Sequence, residues 1–222
     1  MKRTQGFTLV EIAIVLVIIG LLLGGILKGQ EMITQAKIKN VIADFSGISA
    51  AYHGYQDRYR AIPGDDPSAG TRWATAPAAT SGNGNGQVAG TYNSATATDE
   101  SRLWWDHLRR AGFVSGNGTQ QPFNAVTGMI GVQTGDAATP TVGPTLGTDA
   151  AGTGGFSGLI VCSANLPDKI AIASDTQMDD GVPISGTVRG QLQTSPNPAV
   201  SKTAQATYAE NGTNVYTVCR SL

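Results

Sequence analysis

A chain of 222 residues has room for one sizeable domain and an extension, at the usual ratio of about 150 residues per domain. Fifteen basic against sixteen acidic side chains leave a net charge of -1, which excludes a general attraction to nucleic acid or to anionic membrane surfaces. Only 14% of residues are charged and 29 are glycine, a usage that suits short strands and long surface loops better than a helical bundle.

The chain opens MKRTQ and continues GFTLVEIAIVLVIIGLLLGGIL. From Phe7 to Leu27, 21 positions, only Thr8 and Glu11 are clearly polar, and about 20 apolar residues suffice for a helix to cross a bilayer. Lys2 and Arg3 precede the run, so the positive-inside rule keeps the N-terminus in the cytoplasm and sends the chain beyond Lys28 outward. The sequence LLLGGILKGQEM is a poor small-residue cleavage site and passes directly into helical sequence, so the apolar run is expected to stay in the mature protein. Gly20 and Gly24, like Gly25 and Gly29, are small-xxx-small pairs that either let helices approach or soften the helix.

Past the apolar run, Ile38, Val41, Ile42, Phe45, Ile48, Tyr52, Tyr55 and Tyr59 recur at spacings of three and four opposite Lys37, Lys39, Asp44 and Asp57. This spacing predicts an amphipathic continuation of the same helix, with the tyrosines in a core, up to a stop at Pro63-Gly64. Phe7 to about Arg60 would be roughly 80 Å of helix at 1.5 Å per residue. The stretches IPGDDPSAGTRW, ATSGNGNGQVAGTYNSATATD and SGNGTQQPFN carry turn chemistry and read as surface loops. Between them TDESRLWWDHLRRAG reads as a short helix, capped by Thr98 or Asp99, with Leu103, Trp104, Leu108 and Ala111 on one face and Gly112 as its stop. GMIGV, FSGLIVC, PISGTVRGQL and NVYTVCR are strand-like, LPDKIAIASDTQM is a further helix, and no internal repeat is apparent. The fold class is α+β: a long N-terminal helix, membrane-spanning in its first half and amphipathic in its second, against which an antiparallel sheet packs.

Cys162 and Cys219 end strand-like segments in the exported part, where an oxidising compartment allows them to pair and tie the C-terminal strand to the sheet. His53 and His107 have no Cys or His at a metal-ligand spacing, and no nucleophile motif or phosphate-cradling loop is present, so serine, histidine and acid read as polar groups facing water and the chain as no enzyme. Six arginines between Arg58 and Arg110 interleave with Trp73, Trp104 and Trp105, but five acids share the interval, which argues against nucleic acid as a partner. The densest acidic cluster, SDTQMDDGVP, places Asp175, Asp179 and Asp180 at a turn where carboxylates could coordinate Ca²⁺. They do not follow the interleaved D-x-D-x-D-G pattern, and the favoured reading is a helix stop without a cofactor, with Asp175 and Asp179 solvated or paired with Lys169 or Arg189.

A short basic leader, Gly6, then Phe7-Thr8-Leu9-Val10-Glu11 and an apolar run resembles the signal of type IV prepilins and pseudopilins, over about 30 of the 222 residues. The resemblance implies that a membrane prepilin peptidase and methyltransferase cuts between Gly6 and Phe7 and methylates the Phe7 amine. Many pilins carry a proline near the end of the spanning part, where this chain has Lys28. A carboxylate at the centre of a membrane helix costs roughly 2.5 to 3.5 kcal/mol and less nearer the interface, so Glu11 calls for a partner, and the new amine of a neighbouring subunit in a fibre supplies one. The resulting organisation is leader 1–6, spanning and polymerisation helix 7–27, amphipathic continuation 28–60 and a periplasmic or extracellular head 61–222. The expected protein is a fibre subunit held in inner-membrane lipid before assembly with other pilin subunits. Its large polar-looped head favours a minor pilin. A type II secretion pseudopilin is the alternative, and a membrane-tethered binding module the further one.

Overall fold

The computed structural model of the chain describes residues 8–137 and 143–222. The elements run α1 (Leu9–Tyr59), α2 (Ala69–Arg72), α3 (Glu100–Arg110), β1 (Ile130–Thr134), β2 (Leu159–Pro167), α4 (Asp168–Met178), β3 (Val188–Leu192) and β4 (Val215–Ser221).

α1 is one uninterrupted helix of 51 residues, and its sequence sorts it into two kinds of surface. From Leu9 to Leu27 the large apolar side chains are exposed, Leu9 at 89% and Leu21 at 73%. Gly20, Gly24, Gly25 and Gly29 lie within this helix, and a Cβ on any of them would meet nothing within 4 Å. From Ile38 onward the three-four stripe is buried: Ile38, Val41, Phe45, Ile48, Tyr52 and Tyr55 enter the main core. At Gly54 a Cβ would lie 2.7 Å from the Phe113 ring, so the missing side chain admits that aromatic edge. The helix stops sooner than Pro63-Gly64, because Arg60 takes a left-handed φ of 55° and turns the chain three residues before the proline.

The four strands form one antiparallel sheet in the order β1-β2-β4-β3. Alternation along the strands sends Val132, Val161, Val188, Tyr216 and Val218 to the main core, where they meet the second half of α1, Trp104 and Leu108 of α3, and Ile170 and Ala171 of α4. The opposite face is not left to water. Ile160, Cys162, Ala164 and Cys219 form a second core with Tyr92, Leu146 and Ala204 from loops. Burial on both faces explains why β1 reads as an unbroken buried run rather than an alternating one. α3 is likewise buried almost all round, Trp105 included, so its single predicted face is too narrow. Asp99 is its N-cap by backbone conformation, but the carboxylate accepts the Ser94 hydroxyl instead of capping the helix.

The sheet edges are closed by loop backbone. Outside β1, Ile130 N donates to Pro122 O at 2.9 Å and Thr134 N to Val88 O at 3.3 Å. Outside β3, Gly190 N donates to Pro183 O at 3.0 Å while its carbonyl accepts Gln205 N at 2.7 Å. A bulge in β2 puts Asn165 at φ 56°, where its side-chain oxygen accepts Gln193 Nε2 and Asn197 N.

Cys162 and Cys219 are register partners on β2 and β4 and form a disulfide, fully buried in the second core. The bond closes a sequence separation of 57 residues and constrains mainly the unfolded chain. Replacing both cysteines by alanine should lower unfolding stability by about 2 to 4 kcal/mol, read from the denaturant midpoint, while the circular dichroism of the folded sheet persists.

Candidate functional site

The acid in the apolar run lies in the first turn of α1. Thr8 supplies the cap: its carbonyl accepts Ile12 N at 3.3 Å and its hydroxyl oxygen accepts Glu11 N at 3.3 Å. In return Glu11 Oε2 accepts both Thr8 N and Thr8 Oγ1 at 2.7 Å. This is a reciprocal capping box of the form T-x-x-E, in which side chains satisfy backbone donors that the helix start leaves without partners. The spacing was available in the sequence, although only Glu11 stands out there by its charge. Gly6 and Phe7 lie outside the described residues. The helix begun by this box is long and apolar enough to cross a membrane by length and composition, and its apolar window is wholly exposed within the chain.

In the head, side chains expected to face water are drawn inside. His107 is fully buried: its Nδ1 accepts Gly64 N at 2.9 Å and its Nε2 lies 2.8 Å from Thr80 O. That pairing assigns the neutral Nε2–H tautomer, and burial holds the imidazole below its ordinary pKa. His53, by contrast, stays exposed. Asp65 and Asp66, from a stretch expected to form a surface loop, are 4% and 1% exposed. Asp65 accepts the backbone N–H groups of Gly84, Asn85 and Gly86, so it gathers the GNGNG loop around itself. Asp66 accepts Tyr55 Oη at 2.6 Å, Ser68 N and Arg72 Nη1. Burial opposes its charge, but these donors outweigh that and keep its carboxyl below the usual range. Arg72 lies over the Tyr59 ring at 4.2 Å. Arg102 donates to Thr119 O and Ser94 O, Arg109 to Ser115 O, Gly118 O and Gln120 O, and Arg110 to Asp106 and Pro77 O. These arginines brace loops, which is why a basic run in sequence builds no open basic groove from them.

The three acids after α4 do converge, with one oxygen of each lying within 4.8 Å of the others. These are the residues that could hold a cation. Each carboxylate is already an acceptor inside the chain. Asp175, fully buried against the sheet side of α4, takes Tyr208 Oη at 2.7 Å and Gly181 N at 3.2 Å. Asp179 takes the N–H groups of Thr187 and Val188 at the start of β3, and Asp180 takes Val182 N and Ser185 Oγ. A Cβ on Gly186, at φ 71°, would fall 1.8 Å from Asp179 Oδ2, so the turn requires glycine there. The expected partners are engaged elsewhere: Lys169 approaches Glu210 at 3.6 Å, and Arg189 donates to Gly186 O, Leu146 O and Gly154 O while stacking on Phe156. Asp175 and Asp179 are therefore neither solvated nor ion-paired with those two residues.

Residues 1–27 match the family model described as the prokaryotic N-terminal methylation motif. The match supports the type IV pilin and pseudopilin family, and with it a subunit processed by a prepilin peptidase and assembled with other pilin subunits rather than an enzyme. Motif and apolar helix together indicate membrane anchoring. No characterised protein and no solved structure matches the chain.

Burial first, then the neighbouring charges of Asp180 and Asp179, pushes the Asp175 carboxyl up to about 6. A folded-state value above the unfolded one adds stability while the group is protonated, and that increment is lost as pH rises from about 4 through 6. Asp175→Asn should remove it. Compared with wild type, whose other titrating groups are unchanged, the variant's stability should fall by about 1 to 2 kcal/mol less between pH 4 and pH 7, measured by denaturant melts across that range.

Proposed function

We propose that the chain is a structural subunit of a type IV pilus-like fibre. It is made as a precursor, cut between Gly6 and Phe7, methylated on the Phe7 amine, and held in the inner membrane with its head in the periplasm until it polymerises through α1. The observation that carries this reading is the coincidence of the methylation motif with an apolar helix half that its own chain leaves uncovered. Such a surface needs lipid or the same helix of other copies. The size and loop content of the head favour a minor pilin of the cell surface. A secretion pseudopilin shares the same N-terminal argument and is told apart by where the polymer is found.

The head performs no catalysis in this reading. His107 is locked neutral between two backbone groups, and the arginines are committed to loop carbonyls. The turn of Asp175, Asp179 and Asp180 works without a metal, as a collector of N–H and O–H donors that fastens the end of α4 to the start of β3.

Intact-mass measurement of the membrane and polymer forms should give a chain beginning at Phe7 with one added methyl group. A chain beginning at Met1, or one lacking the apolar run, would defeat the proposal. Glu11→Val should insert and fold normally yet be depleted from sheared fibres or periplasmic polymer, and undiminished incorporation would remove the assembly role of the acid.

For the acidic turn, thermal melts of the full chain in detergent should coincide in Ca²⁺ and in excess chelator. A site filled at 100 times its dissociation constant would instead add about 2.7 kcal/mol, a shift of several degrees. Such a shift, abolished in Asp179→Ala, would replace the metal-free reading by a metal site.

A further inference from the structure

The two carboxylate oxygens of Glu11 are not equivalent. Oε2 receives both Thr8 donors, whereas Oε1 accepts no hydrogen bond among the described residues. An ionised carboxylate offers about four acceptor positions, and in a hydrocarbon setting each one without a donor is costly. A glutamate without the threonine hydroxyl would be free to swing along the helix towards the headgroups, as long charged side chains do. With the hydroxyl it is held over the first turn of α1 by two short bonds through one oxygen, and the other oxygen stays available.

We propose that Thr8 is a positioning residue for assembly, clamping Oε2 of Glu11 so that Oε1 is presented to a cationic group brought by a second copy of this chain. The inference rests on the fibre reading and deepens it by dividing the labour between two side chains. Glu11 supplies the charge. Thr8 supplies its direction and keeps the acid hydrogen-bonded inside the subunit while no neighbour is present. Valine has nearly the shape of threonine and cannot do this, because both the donor to Oε2 and the acceptor for Glu11 N belong to the hydroxyl. Serine keeps that hydroxyl.

The test uses the full chain in its own membrane, with the ratio of polymer to membrane-held subunit as the readout. The mass of the mature N-terminus, resistance to alkaline extraction and the melting temperature of the head serve as companion measurements. Thr8→Val should be cut, inserted and folded as wild type, while its polymer ratio falls about five-fold, the factor expected for losing a capping interaction of ordinary strength. Thr8→Ser should restore most of that ratio. An undiminished ratio in Thr8→Val overturns the assignment, and so does a serine variant as poor as valine, since the hydroxyl would then not be the operative group. Loss of cutting or insertion in Thr8→Val overturns it too, because the assignment gives the hydroxyl no part before assembly. Wild-type chain that is anchored but never found in polymer defeats the fibre reading itself, an outcome distinct from a wild type that polymerises and a valine variant that matches it.

Discussion

The rest of the structure depends on one constraint: the first half of α1 is apolar all round and has no apolar surface of its own chain to lie against. A helix of that composition is unstable in water, so it must be solvated by lipid or by other helices, and a helix interior is the backbone arrangement that needs nothing from a membrane for its hydrogen bonds. Only the ends of such a helix carry polar groups without partners. At its start the Thr8–Glu11 box answers that need locally. The second half of the same helix meets a different requirement, burying one stripe against the sheet and exposing the other.

Periodicity made much of this legible. The three-four stripe from Ile38 to Tyr55, the helix containing Leu103 and Leu108, the helix after Leu166 and all four strands are visible in the sequence because burial on one face leaves a repeating pattern. Strand limits and the packing of α3 were less legible. β1 is covered on both faces and α3 nearly all round, so neither shows a clean alternation. The pairing of Cys162 with Cys219 follows from compartment chemistry, but their position side by side on β2 and β4 needed the sheet order. His107 was opaque for a different reason. Its partners are the amide of Gly64 and the carbonyl of Thr80, and backbone groups leave no mark on residue identity. The inward placement of Asp65 and Asp66 is hidden in the same way, since polar turn sequences look alike whether they face water or wrap a carboxylate.

That last point connects composition to stability. A head with short strands and long loops has many backbone N–H groups with no place in a ladder, and each one buried without an acceptor is costly. Acids take over part of that task. Asp65 serves the loop at 84–86, Glu100 serves Asn83 and Ala89, Asp168 serves Asn211 and Gly212, and Asp179 serves Thr187 and Val188. The arginines play the complementary part by donating to loop carbonyls. A chain with few charges can therefore keep irregular segments ordered, and its acids contribute more to internal wiring than to an external field.

The loop backbone that closes the outer sides of β1 and β3 has a consequence for molecules held close together. An open strand edge is a template on which another chain can add, and membrane-bound copies meet at high local density. With Ile130, Thr134 and Gly190 already bonded to Pro122, Val88, Pro183 and Gln205, these edge positions are taken, and a neighbouring head cannot extend the sheet through them. Contact between heads is then left to loop side chains, which can diverge in sequence without disturbing the sheet, so one scaffold can present many different outer surfaces while resisting fusion into amyloid-like ribbons.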